Sequence, residues 1–362
     1  MIGGRVARLR AGPRVAMIAP ARNETPGNAR MTKLLSRRSV LSAAAGLTAA
    51  AALPRAAQAD WRPTEAVRII IPAAPGGTTD VMGRLLAQHL QVVWGQSTVV
   101  ENKSGGGGTI AMTDFVRQKP DGHTIMVGNP GPNAIAYNIF RNITYKPDQL
   151  QPVSNMIRTT NIISAHPSVP VKSIPELIAY LKANPDKVSY ASSGTGQSPH
   201  LTAAWFLQLT GLKMTHVPFR GAGPALTAAL GGQVQILFDN LFPSLPQIRA
   251  GNLVGLATTM PERTVLSQDI PTMRESAPEL TKFDVSSWFG VFLPRGPAQP
   301  VLDALNGEIK VLLARDDMKA RIRDLGAISD YTTPAQYSAF VQNEIAKFGE
   351  IIAKEKLQMD VN

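Results

Sequence analysis

No cysteine occurs anywhere in the 362 residues. That removes disulfides, thiolate nucleophiles and cysteine-ligated metals together. Histidine is scarce, with five residues at 89, 123, 166, 200 and 216 and no metal-ligand spacing among them. Catalytic signatures are missing too: no G-x-S-x-G, no H-E-x-x-H and no G-x-x-x-x-G-K-[ST]. The glycine-rich stretches fail the dinucleotide pattern, because Ile110 ends "GGGGTI" and Pro199 ends "GTGQSP". Neither an enzyme nor a cofactor or metal is expected.

Acidic residues are nearly absent from one end only. The formal charge is +11, yet residues 1–59 hold ten of the 37 Lys and Arg against one of the 26 Asp and Glu. The remainder carries 27 bases and 25 acids, so the chain beyond the leader is close to neutral and nucleic acid is not an expected partner. Residues 36–60, "SRRSVLSAAAGLTAAAALPRAAQAD", read as an export signal: twin arginines Arg37 and Arg38, an Ala-rich apolar stretch from Val40 to Leu53, and a small-residue site Ala57–Gln58–Ala59. The stretch is short of the roughly 20 residues a membrane span needs. The expectation is a twin-arginine-like signal over 31–59, cleaved after Ala59, with ordinary secretion as the alternative route. Residues 1–30 have no periodicity and Met31 opens a normal-looking signal, so 1–30 reads as a non-translated or disordered extension.

What is present after Asp60 is an alternation of short β-branched runs and amphipathic helical segments, the pattern of an α/β fold with parallel sheets. "VRIII" (67–71) is a continuous apolar run, as expected of a strand covered on both faces. Val81, Leu85, Leu86, Leu90 and Val93 then recur at helical spacing. Residues 154–167 are too long for one strand of one small sheet and read as a crossing between domains, and 285–294 as the return. The expected organisation is lobe one from 60–160 and 286–362, lobe two from 161–285, and a ligand cleft between them at the strand carboxyl ends.

Five strand-to-helix turns carry small or hydroxyl residues, at 75–79, 105–108, 129–133, 192–198 and 218–223. Unpaired N–H groups at helix starts favour an anion there, while the plain alternative is a tight turn that needs glycine. Asp239 ends the apolar run "VQILFD" and reads either as a ligand acceptor or as the N-cap of a helix over 243–250. His200 reads as a turn-holding or a ligand-facing group, and Arg220 as a solvated side chain or a carboxylate partner. His89, late in its helix, reads as partly exposed. Trp205, Phe206, Trp288 and Phe289 read as core.

The segments "VRIIIPAAPGGTTDVMGRLLAQHL", "VVENKSGGGGTIAMTDFV", "KPDGHTIMVGNPG", "VSYASSGTGQSPHL", "HVPFRGAGPALTAALGGQVQILFDN" and "WFGVFLPRGPAQPV" stand in order over nearly the whole chain beyond the leader. They resemble the exported substrate-binding proteins of tripartite tricarboxylate transporters, the Bug family. The resemblance implies a type II periplasmic-binding fold, a periplasmic monomer, one small carboxylate held between two lobes, and delivery to a separate membrane permease. A ligand-sensing partner of a sensor kinase and an exported hydrolase or transferase are the alternatives. The resemblance places Gly76, Gly77, Thr78 and Asp80 of the "PGGxxD" turn at the carboxylate, and Thr79 beside them and Asn129 and Gly131 of the third turn are further ligand-binding candidates. The fourth turn contributes Ser192, Ser193, Thr195, Gln197, Ser198 and His200, and the fifth Phe219, Arg220 and Gly221, followed by Asp239. Many relatives carry an aromatic residue where this chain has Ala73, which implies a larger or flatter pocket on that side.

Overall fold

Ile69, Ile70 and Ile71 are fully buried in β1 (Val67–Ile71), the outcome of an apolar run sandwiched between helices. Each such side chain contributes about 1.5–3 kcal/mol of burial. The computed structural model describes residues 61–265 and 267–360, so the expectations for the extension and the signal over 1–59 lie outside it. No described helix is long and apolar enough to cross a membrane.

β1 pairs in parallel with β2 (Thr98–Asn102) and β3 (Thr124–Gly128). Between them lie α1 (Thr78–Trp94) and α2 (Thr109–Phe115). Helix α1 buries Met82, Leu85, Leu86, Leu90 and Trp94 and exposes Arg84, Gln88 and Gln91, the face its spacing predicts. A side chain at Gly83 would collide with Ile71, so this glycine lets α1 lie directly on β1. The third turn, expected as a loop, is itself helical: Gly131–Ile135 forms a π turn running into 136–139.

β4 (Leu150–Ala165) is the long crossing strand that the sequence predicts. Its first part, through Thr160, pairs antiparallel with β9 (Ser286–Pro294), which in turn pairs with β3. The last part, Asn161–Ala165, pairs instead with β7 (Ile236–Asn240) and β8 (Val254–Thr258). β5 (Ser189–Ser192) lies parallel to β7 and to β6 (Thr215–Pro218), completing the order β2-β1-β3-β9-β4-β7-β5-β6. α3 (Ile174–Ala183), α4 (Ser198–Thr210), α5 (Ala222–Leu230) and α6 (Leu241–Arg249) cover this second group of strands. The return differs from expectation, because β9 pairs only within the first group, and only its opening residues Ser286 and Ser287 stand at the junction.

α7 (Gln299–Ala314), α8 (Asp316–Asp324), the short β10 (Ala327–Ser329) and α9 (Pro334–Lys354) finish the chain on the first group. Trp288 is buried against Tyr337 and Phe340 of α9, and its indole N–H donates to the buried Glu344 at 3.1 Å. The expectation for His89 is corrected: it is buried, and its Nε2 meets Glu308 of α7 at 3.0 Å. A polar residue late in a helix becomes interior when another helix packs over it.

Candidate functional site

Four helices begin at one place. The N-cap residues of α1, α4, α5 and α6 are Gly77, Gln197, Gly221 and Asn240, and all four line a single slot at the junction of the two strand groups. None of these N-caps makes a side-chain capping hydrogen bond. Elsewhere α3 and α9 are capped by Ser173 and Thr333 while α7 and α8 also start without a side-chain cap, so what sets the slot apart is that four such starts share one space. The first N–H groups of a helix have no partner within it, so the slot collects uncapped donors and the positive ends of four helix dipoles.

The slot is small, about 20 Å³. Ala73, Thr78, Thr79, Asn129 and Pro130 form one side, Ser193, Ser198 and Ala222 the other, and Phe289 closes the end. No Asp, Glu, Lys or Arg lines it. Thr78 is 1% exposed and its hydroxyl has no partner. The Thr79 hydroxyl accepts from Asn129 Nδ2 at 3.2 Å, which leaves its proton free to donate.

Behind α4 and α6 lies a buried polar network. Asn240 Nδ2 donates to Asn161 Oδ1 and to Ser287 Oγ, both at 2.7 Å. Ser287 Oγ donates to Asn161 Oδ1 at 2.9 Å, and Ser198 Oγ lies 2.6 Å from Ser287 Oγ. With its proton committed, Ser287 accepts from Ser198. Both amide protons of Asn240 are thus used, and the atoms it and Ser198 retain for the slot are acceptors.

Beyond Gln197 and Ser193, which line both spaces, an outer crevice of about 420 Å³ opens. Its walls are Ile110, Phe140, Thr195, Phe219 and Arg220, and its floor is the run Gly105–Gly108. All four of those glycines have φ between 54° and 130°, a path that residues with a side chain rarely follow. Ala73 faces the narrow slot, and the available room lies farther out, in the crevice.

Several predicted residues stand behind the lining rather than in it. Asp80 is 4% exposed, and its carboxylate accepts from Gly76 N, Arg84 Nε and Asn102 Nδ2, each at 3.0 Å. Burial pushes its pKa up, but those donors outweigh burial and hold it below the usual carboxylate range. Asp80 therefore holds the first turn in shape, and the Gly76 N–H is spent on it. Ser192 accepts from Gly194 N at 3.3 Å and meets His216 Nε2 at 2.7 Å. His200 Nδ1 accepts from Gly196 N at 3.2 Å, so both residues shape the fourth turn from below. Gly131 packs on the Gln197 side chain and donates its N–H to Asn129 Oδ1 at 3.0 Å.

Asp239 departs furthest from expectation. Helix α6 starts at Leu241, so Asn240 is its N-cap and Asp239 is not. Neighbours on a strand face opposite sides. With Asn240 on the slot, Asp239 points away, fully buried, where Ser244 Oγ donates to Oδ2 at 2.9 Å and Oδ1 has no partner. Burial raises its pKa to about 7, against the lowering effect of Ser244 and the Asn240 N–H. Asn240, Ala222, Pro130 and Phe289 are lining residues the sequence reading missed. The only signal for Asn240 lay in the strand's alternation.

The two strand groups meet across the cleft. Ala74 N donates to Arg220 O at 2.8 Å, and Gln197 Nε2 to Gly107 O at 2.7 Å. A Cβ on Gly223 would lie 2.5 Å from Pro75 O, so glycine there permits the approach.

Residues 82–357 match the family described as "Tripartite tricarboxylate transporter family receptor". The chain belongs to that family, whose members are periplasmic solute-binding receptors. It is 33% identical over 324 residues to protein BugT of Bordetella pertussis, covering 89% of this chain and 97% of BugT. Among solved structures, a protein of R. palustris with adipate is 32% identical, with a TM-score of 0.78 and coverage of 82% of this chain and 99% of that one. MatC of Rhodopseudomonas palustris with bound malate is also 32% identical, with a TM-score of 0.76 and coverage of 80% and 99%. The shared fold is the two-lobe α/β architecture of type II binding proteins.

Proposed function

We infer that this receptor takes one carboxylate of a small organic acid into the slot, with the rest of the molecule in the outer crevice, and delivers it to a tripartite tricarboxylate-type membrane permease. The observation that carries the reading is the convergence of four uncapped helix N-termini on a slot with no charged side chain. Each N–H or hydroxyl bond to a carboxylate contributes about 1.5–3 kcal/mol, and each exposed helix end a further ~0.3–1 kcal/mol. A few such bonds, less the cost of ordering and closure, reach about −8 kcal/mol, or micromolar affinity. The adipate and malate of the two relatives are acids of this size. The acceptors of Asn240 and Ser198 favour an acid with a hydroxyl or amine next to the carboxylate. No group here is placed to attack or protonate a bound acid, since the slot's donors are backbone amides and hydroxyls without a base beside them.

The site residues are Gly77, Thr78, Thr79, Asn129, Ser193, Gln197, Ser198, Gly221 and Asn240 around the carboxylate, with Thr195, Phe219 and Arg220 along the tail. The lobes divide near residues 160 and 286, and the leader ending at Ala59 is removed on export to the periplasm.

Titration calorimetry with malate, succinate, adipate, citrate, benzoate and aspartate tests the reading. Malate or aspartate should bind more tightly than succinate. Thr78→Val should weaken the best ligand about tenfold, the loss of roughly one hydrogen bond to a charged group. Its melting temperature should not fall, because the lost hydroxyl has no partner among the described residues. Failure of every acid to bind, or unchanged affinity in Thr78→Val, would remove the slot as the carboxylate site. Permease-dependent uptake of the bound acid, abolished by deleting the receptor, tests delivery.

A further inference from the structure

A groove of about 560 Å³, larger than the outer crevice, lies away from the slot and shares no residue with it. Its apolar floor is Leu313 of α7, Ala327 and Ile328 of β10, and Val265 from the segment after β8. Ile328 is 45% exposed and Val265 74%, in a chain that buries most of its large apolar side chains. Lys310, Lys319 and Arg323 rim it, and no carboxylate does. Lys310 lies 5.9 Å from the Tyr331 ring centre, and among the described residues Lys319 pairs only with the exposed Asp316, at 3.3 Å. Arg323 has no ion pair among the described residues. An apolar trough edged by Lys310 and Arg323, neither of them in an ion pair among the described residues, is an electrostatic and hydrophobic match for an acidic, apolar-anchored partner.

The backbone supplies a third element. β10 pairs antiparallel with β4, Ala327 opposite Thr159 and Ser329 opposite Ile157, and no described strand pairs its other edge. An open edge offers main-chain donors and acceptors to an extended segment.

We propose that this groove docks an extended acidic segment of a partner protein, with apolar side chains seated over Ile328 and Val265, carboxylates meeting Lys310 and Arg323, and main chain added along β10. The surface is distinct from the carboxylate slot, so the proposal stands or falls separately from the solute-binding reading.

The probe is a short fluorescein-labelled peptide of alternating Glu and Leu, followed by anisotropy on the full chain, with the same peptide carrying Lys for Glu as control. The Glu peptide should bind, weaken as salt rises, and lose at least tenfold in affinity to a Lys310→Glu, Arg323→Glu double variant. A second variant, Ile328→Asp, should lose similarly. Both variants should keep the wild-type melting temperature and acid affinity, which separates docking from folding. Equal binding of the Lys peptide, or undiminished binding by the charge-reversed variant, would overturn the proposal. So would binding of decanoate, followed by calorimetry, in the absence of any peptide binding, which would make the groove a small amphiphile site. Concentration-dependent dimerisation abolished by the variants would assign it instead to a second copy of this chain. If no acid binds the wild type, the solute-binding reading fails while the peptide result still decides the groove.

Discussion

A single step along β7 separates the two most instructive residues. Asn240 faces the slot and gives both amide protons to the network behind it. Asp239, one residue earlier, faces the interior with Oδ1 unpartnered. A carboxyl whose pKa is raised to about 7 keeps its proton in the folded state after the unfolded chain, at 3.8, has lost it. Its contribution to stability is therefore fully present below pH ~4 and is lost as pH rises toward 7. Asp239→Asn removes that loss. The variant should melt higher than wild type at pH 8, by up to about 4 kcal/mol in stability, and differ little at pH 4. Its acid affinity should be unchanged, because Asp239 does not line the slot. Lower stability at pH 8, or a large loss of ligand affinity, would show that the carboxylate is ionised and in use. The sequence marked this strand end as chemically unusual but not which residue faces which way. That depends on the register Ile162–Asp239 and Asn161–Asn240 against β4, a contact between residues far apart in the chain.

At the scale of elements, the alternation of strand, turn and helix was legible because apolar runs and helical periodicity are local. The role of small residues in the turns was equally legible, since uncapped helix starts follow from the missing cap residues in "PGGTT" and "GTGQSP". What holds each turn was not, because the supports come from other elements. The fourth turn shows this. His200 of α4 stacks on His216 of β6 with ring centres 4.6 Å apart, and His216 on Tyr190 of β5 at 4.7 Å. Burial lowers the pKa of His200 to about 3, aided by the neighbouring His216, and burial lowers that of His216 to about 4. The unfolded chain takes up these protons near 6.5, so stability is complete above that pH and declines as pH falls toward 4. The buried His200 alone contributes a slope of about 1.4 kcal/mol per pH unit. Protonation at Nδ1 would also release the Gly196 N–H and loosen the turn carrying Gln197 and Ser198. Thermal melts from pH 7 to 4 should therefore show a steep loss that is shallower in His216→Phe, which keeps the stack without the second ionisable ring. Parallel profiles for the two proteins would place the acid sensitivity elsewhere.

For the whole molecule, the meeting of the two strand groups is the property that local sequence could least convey. It rests on Ala74 N to Arg220 O, Gln197 Nε2 to Gly107 O, and glycines at 221 and 223 that let backbone approach backbone. Two crossing segments, within β4 and just before β9, connect the groups, so opening requires little more than bending there and breaking these few bonds. The absence of cysteine makes closure directly measurable. A Cβ built on Gly77 lies 3.1 Å from the Ala222 Cβ, and Gly77 has an ordinary extended backbone with φ −90°. A disulfide needs Cβ atoms about 3.5–4.5 Å apart, which a separation of a few tenths of an ångström supplies. Gly77→Cys with Ala222→Cys should therefore form an intramolecular bond under mild oxidant. Linking positions so distant in sequence should stabilise the fold by up to about 4–5 kcal/mol on the chain-entropy account. The oxidised protein should melt higher than its reduced form and show no thermal shift with malate or adipate, since the bond spans the slot. Serine at either position should abolish the crosslink. Failure of the pair to oxidise, or oxidation only between molecules, would mean that the two faces do not meet in solution, and the slot would then have to assemble only after the acid arrives.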